Sequence, residues 1–395
     1  MIKIIIRKNL IYLLFLFISY FSRRVLLIIL DQVYGMNTTF LFCFLMVFGE
    51  IFGGALIYCY QSTFLKKTKR NNNNLGIFKL IKNESTLNRA DGWIKIILLI
   101  FFASFFDLIE FMILAYFIPR IAPISSTISL RLCCIITISS SLICFFTLNF
   151  NIGKHQKLSL IIMGICSFII IILEIIFRPE GIEIKHLLFS YVLLFFHFIF
   201  LSFTDVVEKY LADYNYLNPL QILMTEGLFS LVMSCIYSIK ENPFIEIRMI
   251  YNKESTEKFV LLIFLLILYS VLSAGINIYK ILCNVLYSPM TKSLSSYFCN
   301  FAFIIYYYAI GDDFIIKGKT NFFYFLINLL FSLIIDFFGL IYNEFFILSF
   351  CGLDQETHYG IAERANTHEV ELYLRRIKNN DDDETDDIED NMFLF

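Results

Sequence analysis

The residues that could do chemistry in this chain are ionisable side chains embedded in long apolar runs. Glu50, Asp107, Glu110, Arg131, Glu226, Lys292 and Asp336 each sit in such a run. A charge at mid-bilayer costs about 2.5–3.5 kcal/mol on insertion scales, so each of these needs a partner or a task. Asp107 and Glu110 are three residues apart and share a helix face. Two carboxyls so placed repel each other, which suits a proton relay or a cation site; the structural counter-reading is a packing pair with Arg131. Asp107 and Glu110 are thus the proton-coupling candidates. Asn277 and Asn284, two turns apart, look one way from one helix. Ser125, Ser126, Thr127, Ser129, Thr291, Ser293, Ser295 and Ser296 could hydrogen-bond a solute, although such hydroxyls more commonly join helices to one another. His197 stands alone in mid-run and reads as packing.

Other chemistries have no footing. There is no P-loop, no HExxH, no Ser-His-Asp ordering and no Gly-rich nucleotide fingerprint. The ten cysteines form no CxxC pair and no metal spacing, so they read as small core thiols. No enzyme activity, cofactor or metal is expected. The net charge of −2 offers no general attraction to nucleic acid.

The elements that must hold these residues follow from composition. Of 395 residues, 58% are hydrophobic and only 17% charged, against about 45–50% and 25% in soluble domains. The apolar residues come in runs long enough for helices to span a ~30 Å hydrocarbon core, and helices satisfy their own backbone there. The expected fold is an all-α polytopic membrane protein with about ten spans, at 9–30, 38–60, 93–118, 121–149, 157–177, 186–209, 217–238, 259–281, 288–310 and 321–350. Arg23 and Arg24 interrupt the first span, leaving either a helix with polar residues facing a cavity or a broken one. Basic residues concentrate in residues 1–8 and the polar loop 61–92, which places those segments and both termini in the cytosol. The tail, 351–395, ends in an acidic run at 381–387 too charged to pack.

Spans five apart resemble one another. Glu50 precedes Cys59 by nine residues, as Glu226 precedes Cys235. Pro123-Ile124-Ser125-Ser126-Thr127-Ile128-Ser129 opens the fourth span, and Pro289-Met290-Thr291-Lys292-Ser293-Leu294-Ser295 the ninth. Phe17-Ile18-Ser19-Tyr20-Phe21 in the first parallels Phe200-Leu201-Ser202-Phe203 in the sixth. Two repeats of five helices, 9–177 and 186–350, are therefore expected, and an odd number per half makes the repeat inverted. Inverted repeats hold solute at their interface, so Glu50, Arg131, Glu226, Lys292, Asn277 and Asn284 are expected to line a substrate cavity.

This pattern resembles the drug/metabolite transporter superfamily. Glu208-Lys209-Tyr210-Leu211, Asn218-Pro219-Leu220-Gln221, Glu226-Gly227-Leu228-Phe229 and Ser288-Pro289-Met290-Thr291-Lys292-Ser293 are similar to segments of the F-type branch of solute carrier family 35. The resemblance implies a ten-helix carrier fold and a secondary transporter of a small organic solute in an internal membrane (Golgi, ER or lysosome/vacuole), either proton-coupled or exchanging. The Gly-Ala-Leu-Asn-Lys run of the nucleotide-sugar carriers is missing, so a nucleotide-sugar transporter is the alternative. A non-transporting membrane scaffold of carrier-like fold is the other. The expected partners are the solute and the lipid bilayer, with a homodimer left open.

Overall fold

The computed structural model describes residues 2–4, 11–36, 39–68, 91–121, 128–148, 150–177, 183–238, 244–253, 255–310, 315–316, 319–320, 322–349, 352–358, 360–361 and 364. The body of the polar loop (69–90), Pro123 to Thr127 and the acidic run at 381–387 lie outside the described residues.

The chain is an all-α multi-pass membrane protein. Its main helices are α1 (Ile11–Tyr34), α2 (Thr39–Thr68), α3 (Trp93–Ile121), α4 in two pieces (Ile128–Arg131 and Cys134–Thr147) and α5 (Lys154–Ile176). They continue with α6 (Ile184–Asp213), α7 (Pro219–Ser238), α8 (Thr256–Leu286), α9 (Pro289–Ile310) and α10 (Phe322–Tyr342). Eight of these, all but α4 and α9, contain a stretch long and apolar enough to cross a bilayer. α4 falls short because it is broken into pieces of 4 and 14 residues, and α9 because its hydroxyls, Lys292 and Asn300 lower its hydropathy. Large apolar side chains such as Leu56, Phe146, Phe168 and Leu330 point outward all round the bundle, as a lipid solvent requires.

Helix boundaries have local causes. Asn218 caps α7, its side-chain oxygen accepting the Leu220 N–H at 3.0 Å, while Pro219 starts the helix where no N–H is needed. Ser288 and Pro289 do the same for α9, with Ser288 Oγ accepting the Thr291 N–H at 3.0 Å. Two helices are irregular where they meet the cavity described below. In α3, residues Ile113–Phe117 form a π-helical turn, and α4 breaks at Leu132–Cys133. α1, by contrast, runs unbroken through Arg23 and Arg24.

One end of the bundle, here the upper, carries the α1–α2, α3–α4, α5–α6, α7–α8 and α9–α10 connections; the lower end carries the rest. At the upper end Tyr34 of α1 donates to the Lys258 carbonyl at the start of α8. At the lower end Asp91, just before α3, accepts from Tyr210 at 2.6 Å near the end of α6. There too, β1 (Ile2–Ile4) pairs antiparallel with β2 (Phe346–Leu348), Ile2 opposite Leu348. α2 packs tightly on α8: a Cβ added at Gly49 would sit 2.3 Å from the Ser270 carbonyl oxygen.

Helix contacts follow a five-step rule. α1 packs on α8 and α6 on α3; α2 on α8 and α7 on α3; α4 on α6 and α9 on α1; α4 on α5 and α9 on α10; α2 on α3 and α7 on α8. The pairs α2–α7, α4–α9 and α5–α10 map onto themselves. Among the described residues, only α6–α8, α8–α9, α6–α7 and α6–α9 have close contacts whose counterparts, α1–α3, α3–α4, α1–α2 and α1–α4, meet marginally or not at all.

Candidate functional site

Those missing contacts coincide with a cavity of about 630 Å³. Its walls come from the upper halves of α1 (Tyr20 to Asp31), α2 (Phe42, Met46), α3 (Asp107 to Pro119), α4 (Ser129, Cys133) and α9 (Ser296 to Tyr307), with the middle of α6 and α8 behind them. It extends from the upper helix ends, marked by Met36 and Pro119, down to Asn277 and Lys280. Aromatic rings of Phe111, Phe198, Tyr269 and Phe303 give it apolar faces between the charges.

The charged lining divides into satisfied and unsatisfied groups. The Glu110 carboxylate lies 2.6 Å from His197 Nδ1. Lys280 Nζ donates to Asp107 Oδ1 at 3.2 Å. Arg24 has its guanidinium carbon 5.8 Å from the Phe303 ring centre. Arg23 makes no ion pair among the described residues, so a cation faces the cavity without a counter-charge. The arrangement can receive an anionic or zwitterionic group against an aromatic wall.

Below the cavity lies a buried polar layer. Lys280 also stands 3.6 Å from Asp205 Oδ1 and 3.6 Å from Glu208 Oε1. Lys292 of α9 is ion-paired with Asp205, and Asn284 donates to both Asp205 and Glu208. Asn277, on the cavity floor, donates to Glu50 of α2. Glu226 of α7 is 7% exposed and its Oε1 finds no hydrogen-bond partner among the described residues. The layer ties α2, α3, α6, α8 and α9 together and closes the lower end. Further down, Lys209 donates to the Val285 carbonyl at 2.7 Å, a second clasp between α6 and α8.

The chain matches no protein-family model and no curated protein. What the site does must therefore be argued from its own geometry.

Measured against the sequence expectations, Asn277, Asp107 and Glu110 line the cavity. Asp107 and Glu110 do not act as a shared carboxyl pair there; one bonds Lys280 and the other His197. Glu50, Glu226, Lys292 and Asn284 are not on the cavity wall but in the layer beneath it: α2 reaches the wall only through Phe42 and Met46, above Glu50, and α7 lends it no residue. Arg131 needs a larger correction. It is completely buried between α4, α5 and α10, ion-paired with Glu174 and donating to Tyr324 Oη at 3.2 Å and Asn328 Oδ1 at 3.0 Å. Three partners hold it away from the cavity, so it fastens the α5–α10 flank. Asp336 is buried in α10 with Oδ1 unpartnered among the described residues.

The hydroxyls split the same way. Ser129 and Ser296 reach the cavity, whereas Ser293 bonds Thr137, Thr291 bonds Asn343 at 2.7 Å and Ser295 bonds the Lys292 carbonyl at 2.8 Å. Three residues central to the site were not singled out as site residues from sequence: Lys280, Asp205 and Glu208. Each lies within about four residues of an expected span end, where a charge reads as interfacial. α8 continues to Leu286 and α6 to Asp213, which puts all three inside the bundle.

Proposed function

We propose that this chain is a secondary transporter that moves a small organic solute by alternating access, with the fold of the drug/metabolite carriers. The observation that carries the reading is the pairing of an upper cavity with a lower ionic layer. The contacts α6–α8, α8–α9, α6–α7 and α6–α9 have five-step counterparts that are open among the described residues. Two halves built alike but packed differently are what an inverted-repeat carrier looks like when stopped in one access state. With the basic 61–92 loop in the cytosol, this is the lumen-facing state. The α2–α7, α4–α9 and α5–α10 pairs are the axis about which the halves rock. Arg23 and Arg24, with the surrounding rings, receive the solute; Asp107 and Lys280 form the cavity floor that must part to release it.

The test is uptake by purified protein in sealed liposomes, screened against nucleotide sugars, amino acids, short peptides and organic cations, with and without a pH gradient. Saturable uptake of one class, lost in Arg23→Ala, supports the carrier and names its cargo. No uptake of any class by folded, inserted protein would favour the membrane scaffold instead.

A further inference from the structure

The charges of the lower layer do not balance. It holds the carboxyls of Glu50, Asp107, Asp205, Glu208 and Glu226 against the ammonium groups of Lys280 and Lys292. The two lysines face Asp107, Asp205 and Glu208; neither comes within ion-pair reach of Glu50 or Glu226. Glu50 has the Asn277 amide, and Glu226 Oε1 has nothing among the described residues.

The charged groups around Glu226 come from every helix packed on α7. They are Glu50 of α2, Asp107 of α3, Glu208 of α6 and Lys280 of α8. Three of the four helices thus contribute only carboxyl groups. A buried, unpaired carboxylate surrounded by others is costly; the same group as a carboxylic acid is not. Space decides which cation can neutralise it. A Cβ added at Gly227 would lie 2.9 Å from Ile51 Cγ1 and 3.4 Å from Glu50 Cβ, so α7 and α2 nearly touch beside Glu226. No three His, Cys, Asp or Glu side chains converge in metal-binding geometry among the described residues. A hydrated metal ion does not fit between these helices, whereas a proton does.

We propose that Glu226 binds and releases the coupling proton of this carrier, with Glu50 linking it to the cavity; the coupling role rests on the transport reading above. In the state seen here, a hydronium ion in the cavity gives its proton to the Glu50 carboxylate beside Asn277 and leaves as water. Glu50 passes that proton to Glu226, which becomes a neutral carboxylic acid. When the lower layer opens, Lys292 parts from Asp205 and Lys280 loses partners on α6. The Lys280 ammonium is then available to Glu226, which gives its proton to water at the lower end and returns as a carboxylate. Loading and release of the proton are tied to closing and opening of the layer.

The experiment uses the full-length protein in liposomes, perfused alternately with acidic and alkaline buffer while its infrared difference spectrum is recorded. A carbonyl band of protonated carboxyl should disappear at alkaline pH in the wild type. The part of that band due to Glu226 should be missing in Glu226→Gln and keep its presence with a displaced midpoint in Glu226→Asp. The Glu226→Asp midpoint keeps the test decisive if the glutamine variant does not fold. An unaltered band in Glu226→Gln, or a midpoint unmoved in Glu226→Asp, overturns the proposal. So does loss of the band on adding sodium at constant acidic pH, which would make a metal ion the ligand. Solute uptake separates this from the carrier reading. Titration of Glu226 without uptake of any solute sinks the carrier and keeps the proton site. Uptake driven by a pH gradient and unaffected by Glu226→Gln keeps the carrier and sinks the proton site.

Discussion

Lys280 is the residue whose removal should be felt most. Its ammonium lies 3.2 Å from Asp107, 3.6 Å from Asp205 and 3.6 Å from Glu208, and the side chain is nearly buried. At an effective dielectric of about 20, each contact is worth roughly 5 kcal/mol of attraction before desolvation is subtracted. The net cost of deleting one member of a buried ionic cluster is smaller, about 3–5 kcal/mol, because the stranded carboxylates are what is costly. Lys280→Met keeps the stem and removes the charge. At roughly 2–4 °C per kcal/mol for a chain of this size or smaller, its melting temperature in detergent should fall on the order of 10 °C at neutral pH. Two controls separate charge from packing. Lys280→Met combined with Glu208→Gln should recover at least about 2 kcal/mol, since one carboxylate fewer needs a counter-charge. Acidic buffer should narrow the gap between Lys280→Met and wild type, because protons then replace the missing ammonium. Thermal unfolding followed by thiol-dye fluorescence reads all three proteins at both pH values. A Lys280→Met protein that melts with the wild type, or one that Glu208→Gln destabilises further, would refute the account of the layer as an ammonium-centred cluster.

Three further outcomes follow from the same geometry. Arg131→Met should destabilise by about 3–5 kcal/mol through stranding Glu174, and adding Glu174→Leu should restore most of it while leaving solute binding to the cavity unchanged by calorimetry. Gly49→Ala places a methyl 2.3 Å from the Ser270 carbonyl, forcing α2 off α8 at a cost of about 1–3 kcal/mol, measurable as a lower melting temperature. The third concerns pH at the lower end. Burial alone would raise the Glu344 carboxyl, but the His155 ring 3.4 Å away, the nearby His358 side chain and the His358 backbone N–H together hold it below the usual carboxylate range. A carboxyl lowered in the folded state contributes stability above its unfolded pKa of about 4.3 and loses it as pH falls through the lower folded value. Hydrogen exchange at 352–358 should therefore rise as pH drops below about 4, and Glu344→Gln should show the higher exchange already at neutral pH.

The sequence carried the helices well and the partners poorly. Apolar runs register the bilayer directly, so each expected span coincides with a helix, eight of them long and apolar enough to cross a bilayer, and α1 runs unbroken through Arg23 and Arg24, one of the two outcomes open for it. The lower layer was hidden by the same signal. Hydropathy ends a span at the first cluster of charges, yet Asp205, Glu208 and Lys280 lie within helices that run on for about one more turn. Pairing was not legible because it depends on which faces meet: Arg131 found Glu174 and Asn328, residues 43 and 197 positions away, rather than Asp107. His197 read as packing because its partner, Glu110, lies 87 residues off. Glu226, by contrast, was singled out from its position in the repeat and proves to be an unusual buried carboxyl.

The asymmetry between the halves makes the transport reading testable without knowing the solute. If the halves exchange packing, the close contacts α6–α8 and α6–α9 must loosen as α1–α3 and α1–α4 form. Ile28 of α1 and Ala115 of α3 both line the cavity about six residues from the upper ends of their helices, hence at similar depth. A cysteine pair at these positions, in a background lacking exposed Cys59 and Cys235, should cross-link poorly with a short bifunctional reagent while the lower layer is intact. Lys292→Met unpairs Asp205, weakens that layer and should shift the population toward the other state. A shift from one per cent to half requires about 2.7 kcal/mol, within the range expected for breaking a buried pair. Cross-linking between positions 28 and 115 should then rise sharply, while a pair placed across α2 and α7, which stay together in both states, should not change. If the α1–α3 pair cross-links equally with and without Lys292, the four unmatched contacts are a fixed feature of the fold and the cavity has only one entrance.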